Sequence, residues 1–390
     1  MGMKLGLDNC QILLSRLGNP HLDFPSIHVA GSNGKGSLCV QLSSAATASG
    51  FTTGLFTSPH LVTVEERIRI DGRPISSDDF DRALSRVREA SEMEPECSPT
   101  YFESTFLSAM LVFSEAGVQR GIIETGMGGR LDATRLVDAD LCFLTSVSME
   151  HSQFLGETLR EIAFEKASIH RPGVPIIVSE HQDSGVREVI EGIAGTDLTW
   201  WTIQTKSPWE GYASMVKEAA EILNWSVSSA DCVWPGRSPG FGSDWIKGIT
   251  TRFSAAHNAE SLAADLSEVD KPCVLLLGMT AKSDLNETLS PLAIELQSNP
   301  LFQGVVLTQP ITGRNPAVTI EELNNTMNGL GSKPETSHEN PVEALSIASE
   351  LAEDRGCDLM VIGSVYLVGD LFRHMVESKE WDLWEALTAH

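Results

Sequence analysis

The hydrophobic pattern in the first half of the chain alternates between two kinds of segment. Short apolar runs bounded by glycine, proline and polar residues are typical of buried strands, and longer segments with helical spacing of apolar residues indicate helices. The runs that predict strands lie at residues 27–30, 51–56, 121–124, 141–147 and 174–178. The predicted helices lie at residues 38–48, 77–90, 102–116 and 157–169, with Ser77 as the expected cap of the second. Regular alternation of this kind predicts a parallel sheet covered by helices.

The second half of the chain repeats this alternation after a weaker stretch. Between residues 180 and 229 the pattern predicts one helix, at residues 212–223. Further strands are predicted at residues 248–253, 273–277, 304–307 and 358–362, again separated by helices. Because 390 residues exceed one ordinary hydrophobic core, we expect two domains, 1–229 and 230–390.

A glycine-rich segment, residues 28–37 (His-Val-Ala-Gly-Ser-Asn-Gly-Lys-Gly-Ser), joins the first predicted strand to the first helix. Glycine has no Cβ, so backbone N–H groups in such a turn can face an anion. Lys35 adds a positive charge suited to phosphates, and Ser37 is placed to reach a phosphate or Mg²⁺. The P-loop match is imperfect, because Val29 replaces its first glycine and Gly36 separates Lys35 from Ser37. A plain turn that holds a lysine is the alternative.

Polar residues follow three other predicted strands. Ser58, Glu124 and His151 each lie at or just beyond a strand's carboxyl end, where ligands bind in open α/β sheets. Taken singly, each is more often an ordinary polar residue, but oxygen and imidazole donors gathered at one edge favour Mg²⁺ held against phosphates. The predicted fold class is therefore α/β, with a P-loop parallel-sheet ATP-binding domain followed by a smaller Rossmann-like α/β domain.

Composition narrows the class of protein. Hydrophobic residues make up 42% and charged residues 21% of the chain, as in soluble globular proteins. The formal net charge of −25 opposes binding to nucleic acid or to anionic membranes. No segment has the pattern of a membrane span or a signal peptide. Seven scattered cysteines without a Cys-x-x-Cys pair predict reduced thiols in a cytoplasmic protein.

At this point the sequence resembles the folylpolyglutamate synthase and dihydrofolate synthase branch of the Mur ligases. The resemblance is dense from residue 27 to residue 175 and looser beyond. The motifs that carry it are residues 28–37, Phe-Thr-Ser-Pro-His-Leu at 56–61, Glu-Arg-Ile at 66–68, Tyr-Phe-Glu at 101–103, 124–134, and Phe-Glu-Lys-Ala at 164–167. Shorter matches follow at Trp-Pro-Gly-Arg 234–237, Ala-His-Asn 256–258 and residues 363–369.

The resemblance implies an ATP-dependent ligase that joins L-glutamate to a folate or to dihydropteroate through an acyl phosphate. The residues that match the family's ATP site are Asn33, Gly34, Lys35, Gly36, Ser37, Arg237, His257 and Asn258. Those that match its Mg²⁺ ligands are Ser58, Glu124, His151 and Lys166, the last as a carbamylated lysine. Thr100, Phe102, Arg130 and Asp132 fall in motifs that line its pterin and acyl-acceptor pocket. Lys35, Lys166 and His151 are the expected catalytic residues, in a monomer whose second domain closes over ATP.

The sequence also departs from the family. Ser254 stands where an aspartate is expected, and residues 210–214 replace a His-Gln-x-x-Asn motif. These changes leave three alternatives open: a Mur-type ligase with another acyl substrate, a P-loop phosphohydrolase or kinase, and a degenerate nucleotide-binding homologue. For Lys166, a free ammonium facing the acyl phosphate or a helix salt bridge to Glu161 is the simpler alternative. Arg67 and Arg69 are expected to be solvated strand charges or anion ligands.

Overall fold

The structure, a computed structural model, describes residues 6–150, 152–202, 205, 207–229, 231–282 and 284–389. It divides the chain into two compact units, Met1–Cys232 with Thr388–His390, and Val233–Leu387. The division along the chain falls close to residue 229. Thr388 and Ala389, which the sequence assigns to the second domain, group with the first unit instead.

The first unit is built on one large sheet. Its strands are β1 (Ser26–Ala30), β2 (Thr53–Phe56), β3 (Ile68–Ile70), β4 (Arg73–Pro74), β5 (Arg120–Glu124), β6 (Ala139–Leu144), β7 (Ile176–Ser179) and β8 (Leu198–Trp201). Within the described residues the sheet has the order β4-β3-β2-β5-β1-β6-β7-β8. Along the order β2-β5-β1-β6-β7-β8 all neighbours pair in parallel. At one edge the short β3 pairs antiparallel with both β2 and β4. The predicted parallel sheet is thus confirmed.

Helices cover this sheet. They are α1 (Asp8–Arg16), α2 (Lys35–Ala48), α3 (Ser77–Ser91), α4 (Tyr101–Glu115), α5 (Ser152–Leu155), α6 (Leu159–Ala167), α7 (Ser184–Ala194) and α8 (Pro208–Ile222). The cap of α3 is Ser76, whose hydroxyl accepts from the Asp79 N–H at 3.1 Å, so the prediction of Ser77 was wrong by one residue. The sequence also missed α7 and β8, because β8 is a half-exposed edge strand without a long apolar run.

Arg69 corrects another expectation. Its side chain is fully buried rather than solvated. Its guanidinium donates to the carbonyls of Glu66 at 3.1 Å and Gly72 at 3.2 Å. Burial lowers its pKa to about 10, and the Glu66 carboxylate opposes this shift. Arg69 therefore fastens the turn around β3.

The second unit contains a smaller sheet. Its strands are β9 (Thr251–Phe253), β10 (Cys273–Leu277), β11 (Phe302–Leu307), β12 (Thr336–Ser337) and β13 (Asp358–Ile362). Across the described residues they pair in parallel in the order β12-β11-β10-β13-β9. The helices are α9 (Ala259–Ser267), α10 (Leu285–Ser298), α11 (Ile320–Gly329), α12 (Pro341–Arg355), α13 (Val365–Ser378) and α14 (Leu383–Ala386). The predicted α/β class is confirmed for both units.

Each unit has its own apolar core. Phe56, Phe106 and Phe113 are buried between sheet and helices in the first unit, and Leu275 and Ile362 in the second. All seven cysteines lie in the described part of the chain and are unbridged. Among the described helices, none has the length and apolar character needed to cross a membrane.

Candidate active site

The phosphate loop joins β1 to α2. Gly34 is the N-cap of α2 with φ of +83°, a left-handed conformation that favours glycine, and this cap residue has no side chain to accept from the first turn. The N–H groups of the first turn, which have no intrahelical partner, therefore form a positive helix end suited to an anion. Because α2 begins at Lys35, earlier than the predicted residue 38, Lys35, Gly36 and Ser37 all lie in this turn.

The loop is held by the segment that follows β6. Asn33 N–H donates to the Ser146 hydroxyl at 2.9 Å, and the Asn33 carbonyl accepts from the Thr145 hydroxyl at 2.6 Å. The Ser32 hydroxyl makes two hydrogen bonds with the backbone of Ser148: it donates to the carbonyl and accepts from the N–H. These bonds position the loop before any ligand binds.

Two lysines converge on one carbonyl of this loop. Lys35 Nζ donates to the Gly31 oxygen at 2.9 Å, and Lys166 Nζ donates to the same oxygen at 2.8 Å. Lys35 also donates to the Ser32 carbonyl at 3.2 Å. Two ammonium groups on a single oxygen concentrate positive charge beside the N-terminus of α2, which suits a polyanionic ligand.

Lys166 is buried on α6, with a side chain about 2% exposed. Its ion-pair partner is Glu150, at 2.5 Å, so the alternative of a salt bridge to Glu161 is wrong. Glu161 is instead taken up by the capping box of α6. Burial lowers the Lys166 pKa to about 8; Glu150 opposes this shift and Lys35 adds to it. A larger fraction of neutral amine is therefore present near neutral pH than for an exposed lysine.

Ser58 and Glu124 lie side by side. Phe56 of β2 pairs with Ile123 of β5, so the residues that follow these strands meet at one edge of the sheet. The Ser58 N–H donates to Glu124 Oε2 at 2.9 Å, and Glu124 is about 2% exposed. His151, the third residue predicted for this site, lies outside the described residues. Among the described ones, no group of three or more histidine, cysteine and acidic side chains stands ready to hold a metal.

The second glycine-rich loop, residues 125–132, is filled by its own aspartate. Asp132 accepts from the N–H groups of Gly126 at 3.0 Å and Met127 at 2.9 Å. It also accepts from the N–H and hydroxyl of Thr134. Burial raises the Asp132 pKa, although these donors act against the shift. The predicted substrate residue Asp132 thus uses its carboxylate to shape the loop.

The other three residues predicted for the substrate pocket have different surroundings. Thr100 caps α4 in a reciprocal pair with Glu103. Phe102 packs against Phe56 with ring centroids 5.7 Å apart and the ring planes tilted by 56°. Arg130 is 43% exposed and pairs with Glu165 at 2.8 Å, on the helix that carries Lys166. Of the four residues predicted for the substrate pocket, Phe102 and Arg130 are therefore the two whose side chains do not bond to a helix cap or a turn.

Sequence reasoning missed a buried histidine beneath the site. His28 of β1 has Nε2 2.8 Å from the Thr134 hydroxyl, and Arg171 approaches Nδ1 at 3.4 Å. Burial, with Arg171 and Arg135, holds the His28 pKa well below its usual range, so the ring is neutral. Since Thr134 donates to Asp132, the consistent arrangement has Nε2–H donating to Thr134. A buried polar chain thus connects β1 to the second loop. Its signal in the sequence was a histidine inside an apolar strand.

Arg67 and His60 form a second polar group on this unit. Arg67 Nε donates to His60 Nδ1 at 3.1 Å, and the guanidinium lies 5.2 Å from the centre of the Tyr101 ring. Burial and the nearby Arg67 lower the His60 pKa to about 4. His60 is therefore neutral near pH 7, which leaves Arg67 as the cation of this pair.

In the second unit, the predicted nucleotide residues lie in turns and caps. Asn258 caps α9, and His257 Nδ1 lies 2.9 Å from the Ala255 carbonyl. Arg237 closes a turn, because its N–H donates to the Trp234 carbonyl at 2.9 Å. The Ser254 hydroxyl bonds to the Asp265 carboxylate, so an aspartate from α9 stands beside the position where the family has one. The ATP contacts of Arg237, His257 and Asn258 stay predictions.

Comparison with known proteins yields a consistent set of relatives, although no family model matches the chain. The dihydrofolate synthetase of Saccharomyces cerevisiae is 29% identical over 96% of this chain and 98% of its own length. The dihydrofolate synthase/folylpolyglutamate synthase of Bacillus subtilis is 38% identical, over 48% of this chain and 45% of its own length. The chain is a homologue of the dihydrofolate and folylpolyglutamate synthases.

Solved structures agree on the fold. Folylpolyglutamate synthase of Mycobacterium tuberculosis, complexed with ADP and AMPPCP, superposes with a TM-score of 0.82. It is 24% identical and covers 95% of either chain. The predicted fold class is therefore confirmed, and the named relatives confirm the family resemblance. The aligned part spans less than half the length of the Bacillus relative.

Proposed function

We propose that this homologue is an ATP-dependent carbon–nitrogen ligase that joins L-glutamate to a folate, to dihydropteroate, or to both. The observation that carries the proposal is the edge of the first sheet. There the N-terminus of α2 and Lys35 gather positive charge around the phosphate loop. The full-length similarity to a yeast dihydrofolate synthetase supports this chemistry over a phosphohydrolase or kinase.

The reaction has two steps. The substrate carboxylate attacks the γ-phosphate of ATP, giving an acyl phosphate and ADP; the amino group of glutamate then attacks the acyl carbon and displaces phosphate. The first step brings anions together, so the N–H groups of α2 and the Lys35 ammonium stabilise the developing charge. Lys35 rests on the Gly31 and Ser32 carbonyls and turns from them to the β- and γ-phosphates.

The donors beside the loop fit Mg²⁺. Glu124 offers a buried carboxylate at a strand end, Ser58 a hydroxyl, and His151 is the third ligand that the family motif predicts. Oxygen donors of this kind are those that Mg²⁺ prefers. Bound Mg²⁺ would supply charge neutralisation at the β- and γ-phosphates.

We also propose that Lys166 reacts with CO₂. Its amine adds to the carbon and releases a proton, and the resulting carbamate supplies oxygen ligands where an ammonium would repel a cation. The lowered pKa favours this step, because only the neutral amine reacts. Depletion of bicarbonate should lower the activity, and acetate should partly restore a Lys166→Ala variant. No effect of bicarbonate, no rescue and no added mass on the lysine would leave the free ammonium as the correct alternative.

Phosphate release tests the whole proposal. The chain is incubated with ATP, Mg²⁺ and L-glutamate, and dihydropteroate or tetrahydrofolate is added in turn. We expect release that depends on glutamate and on one or both pteroyl compounds, with the amide product found by mass spectrometry. Phosphate release that needs no acyl substrate would favour a phosphohydrolase, and no release with either compound would exclude the proposed substrates.

A further inference from the structure

Helix α8 places a tyrosine against the phosphate loop. Tyr212 is about 7% exposed, and a Cβ added to Gly34 would overlap its hydroxyl and ring. Two separate causes therefore restrict residue 34 to glycine: its positive φ and the tyrosine packed against it. The hydroxyl lies beside the N-cap of α2, where the first N–H groups of the helix have no intrahelical partner.

The position of Tyr212 is fixed by bonds on either side of it. Gln41 of α2 donates to the Trp209 carbonyl at 3.1 Å, in the first turn of α8. Ser214 donates to the Gly211 carbonyl at 2.6 Å and accepts from Trp201 Nε1 at 3.1 Å. A helix turn held in this way adds little ordering cost when a ligand binds beside it.

We propose that Tyr212 is a nucleotide-binding residue of this chain. Its ring holds Gly34 in the geometry of the loop, and its hydroxyl donates a hydrogen bond to a phosphate oxygen of ATP bound at the N-terminus of α2. This inference rests on the proposed function. It gives a role to residues 210–214, the segment in which the sequence departs from the family motif.

Removal of the hydroxyl alone tests the phosphate contact. ATP binding to the Tyr212→Phe variant is measured by calorimetry, with Tyr366→Phe in the second unit as the matched control. We expect the Kd for ATP to rise by roughly 10–100-fold, the range of one lost hydrogen bond to a charged group. The thermal midpoint should stay within about 2 °C and the KM for glutamate should not change.

The outcomes separate this inference from the proposed function. If the native chain binds ATP and Tyr212→Phe binds it equally well, the phosphate contact is wrong while the ligase proposal stands. If the native chain binds no ATP, both are wrong. A Tyr212→Phe variant that loses thermal stability in proportion to its ATP affinity would show a packing role and overturn the contact.

A double-mutant cycle tests the contact with the loop. Gly34→Ala introduces backbone strain in any background, but it meets the tyrosine ring only in the native one. We therefore expect Gly34→Ala to lower the urea midpoint more in the native chain than in a Tyr212→Leu background. Equal shifts in the two backgrounds would show that Tyr212 does not press on residue 34 and would overturn this part of the inference.

Discussion

Two glycine-rich loops of the first unit follow neighbouring strands, yet they use their backbones in opposite ways. In the phosphate loop, the N-cap residue Gly34 has no side chain that could accept from the first N–H groups of α2. In the second loop, Asp132 already occupies the N–H groups of Gly126 and Met127. Glycine content alone therefore does not make an anion site. What decides is whether the chain supplies its own anion.

The cationic side chains of the two loops differ in the same sense as their N–H groups. Lys35 and Lys166 both point to Gly31 in the first loop, whereas Arg130 of the second loop is paired with Glu165 at the surface. We expect substitutions in the first loop to affect catalysis before stability, and substitutions of Asp132 to affect stability before catalysis. Four predictions test this contrast.

Lys35→Ala should give the largest effect. Its ammonium acts on charge that develops during phosphate transfer, so turnover should fall by roughly 10²–10³-fold while the fold is kept. Steady-state phosphate release and a thermal melt check this. Lys217→Ala on the exposed face of α8 is the control, and near-normal turnover of Lys35→Ala would remove the phosphate-loop hypothesis.

Asp132→Ala should lower the free energy of unfolding by about 2–4 kcal/mol, because it removes a buried acceptor of several hydrogen bonds. Urea denaturation measures this loss. Asp78→Ala on the exposed start of α3 controls for the removal of a carboxylate. A variant with native stability and impaired substrate binding would show that Asp132 acts on ligand instead.

Lys166→Met should remove a contribution to the free energy of unfolding that depends on pH. The amine pKa falls from 10.5 to about 8 in the fold, so the unfolded chain holds more protons between these values. The free energy of unfolding of the native chain should therefore rise relative to the variant as pH goes from 8 to 10.5, by on the order of 2–3 kcal/mol. Parallel urea titrations across this range, in CO₂-free buffer that keeps Lys166 a free amine, check the sign. A constant difference would mean that the pKa is not lowered.

Arg130→Gln should give the smallest effect. Because the pair with Glu165 is partly exposed, stability should change by less than about 0.5 kcal/mol. If Arg130 contacts the acyl substrate as the family motif predicts, the KM for the pteroyl compound should rise by roughly 3–10-fold, the cost of one partly exposed hydrogen bond. Arg160→Gln, which breaks an exposed pair with Glu188, is the matched control. Equal KM values for the two variants would assign Arg130 to structure.

The sequence by itself determined the features that depend on neighbours along the chain. Apolar runs predicted β10 and β13 with their bounds, and a strand followed by Gly, Lys and Ser indicated the phosphate loop. Turn conformation and strand burial are local properties, so local composition reports them. Even the family resemblance rests on such short motifs. The edge strand β8 was not predicted, because a strand at the edge of a sheet is less buried and needs fewer apolar residues.

Only the tertiary structure decided the partners of the buried polar groups. Lys166 is paired with Glu150 and the Gly31 carbonyl, 16 and 135 residues away along the chain. The hydroxyl of Tyr212 lies on Gly34, and Ser254 obtains a carboxylate from a neighbouring helix. A buried charge must find a partner, but any of many acids satisfies that need, and the order of strands selects which one comes within reach.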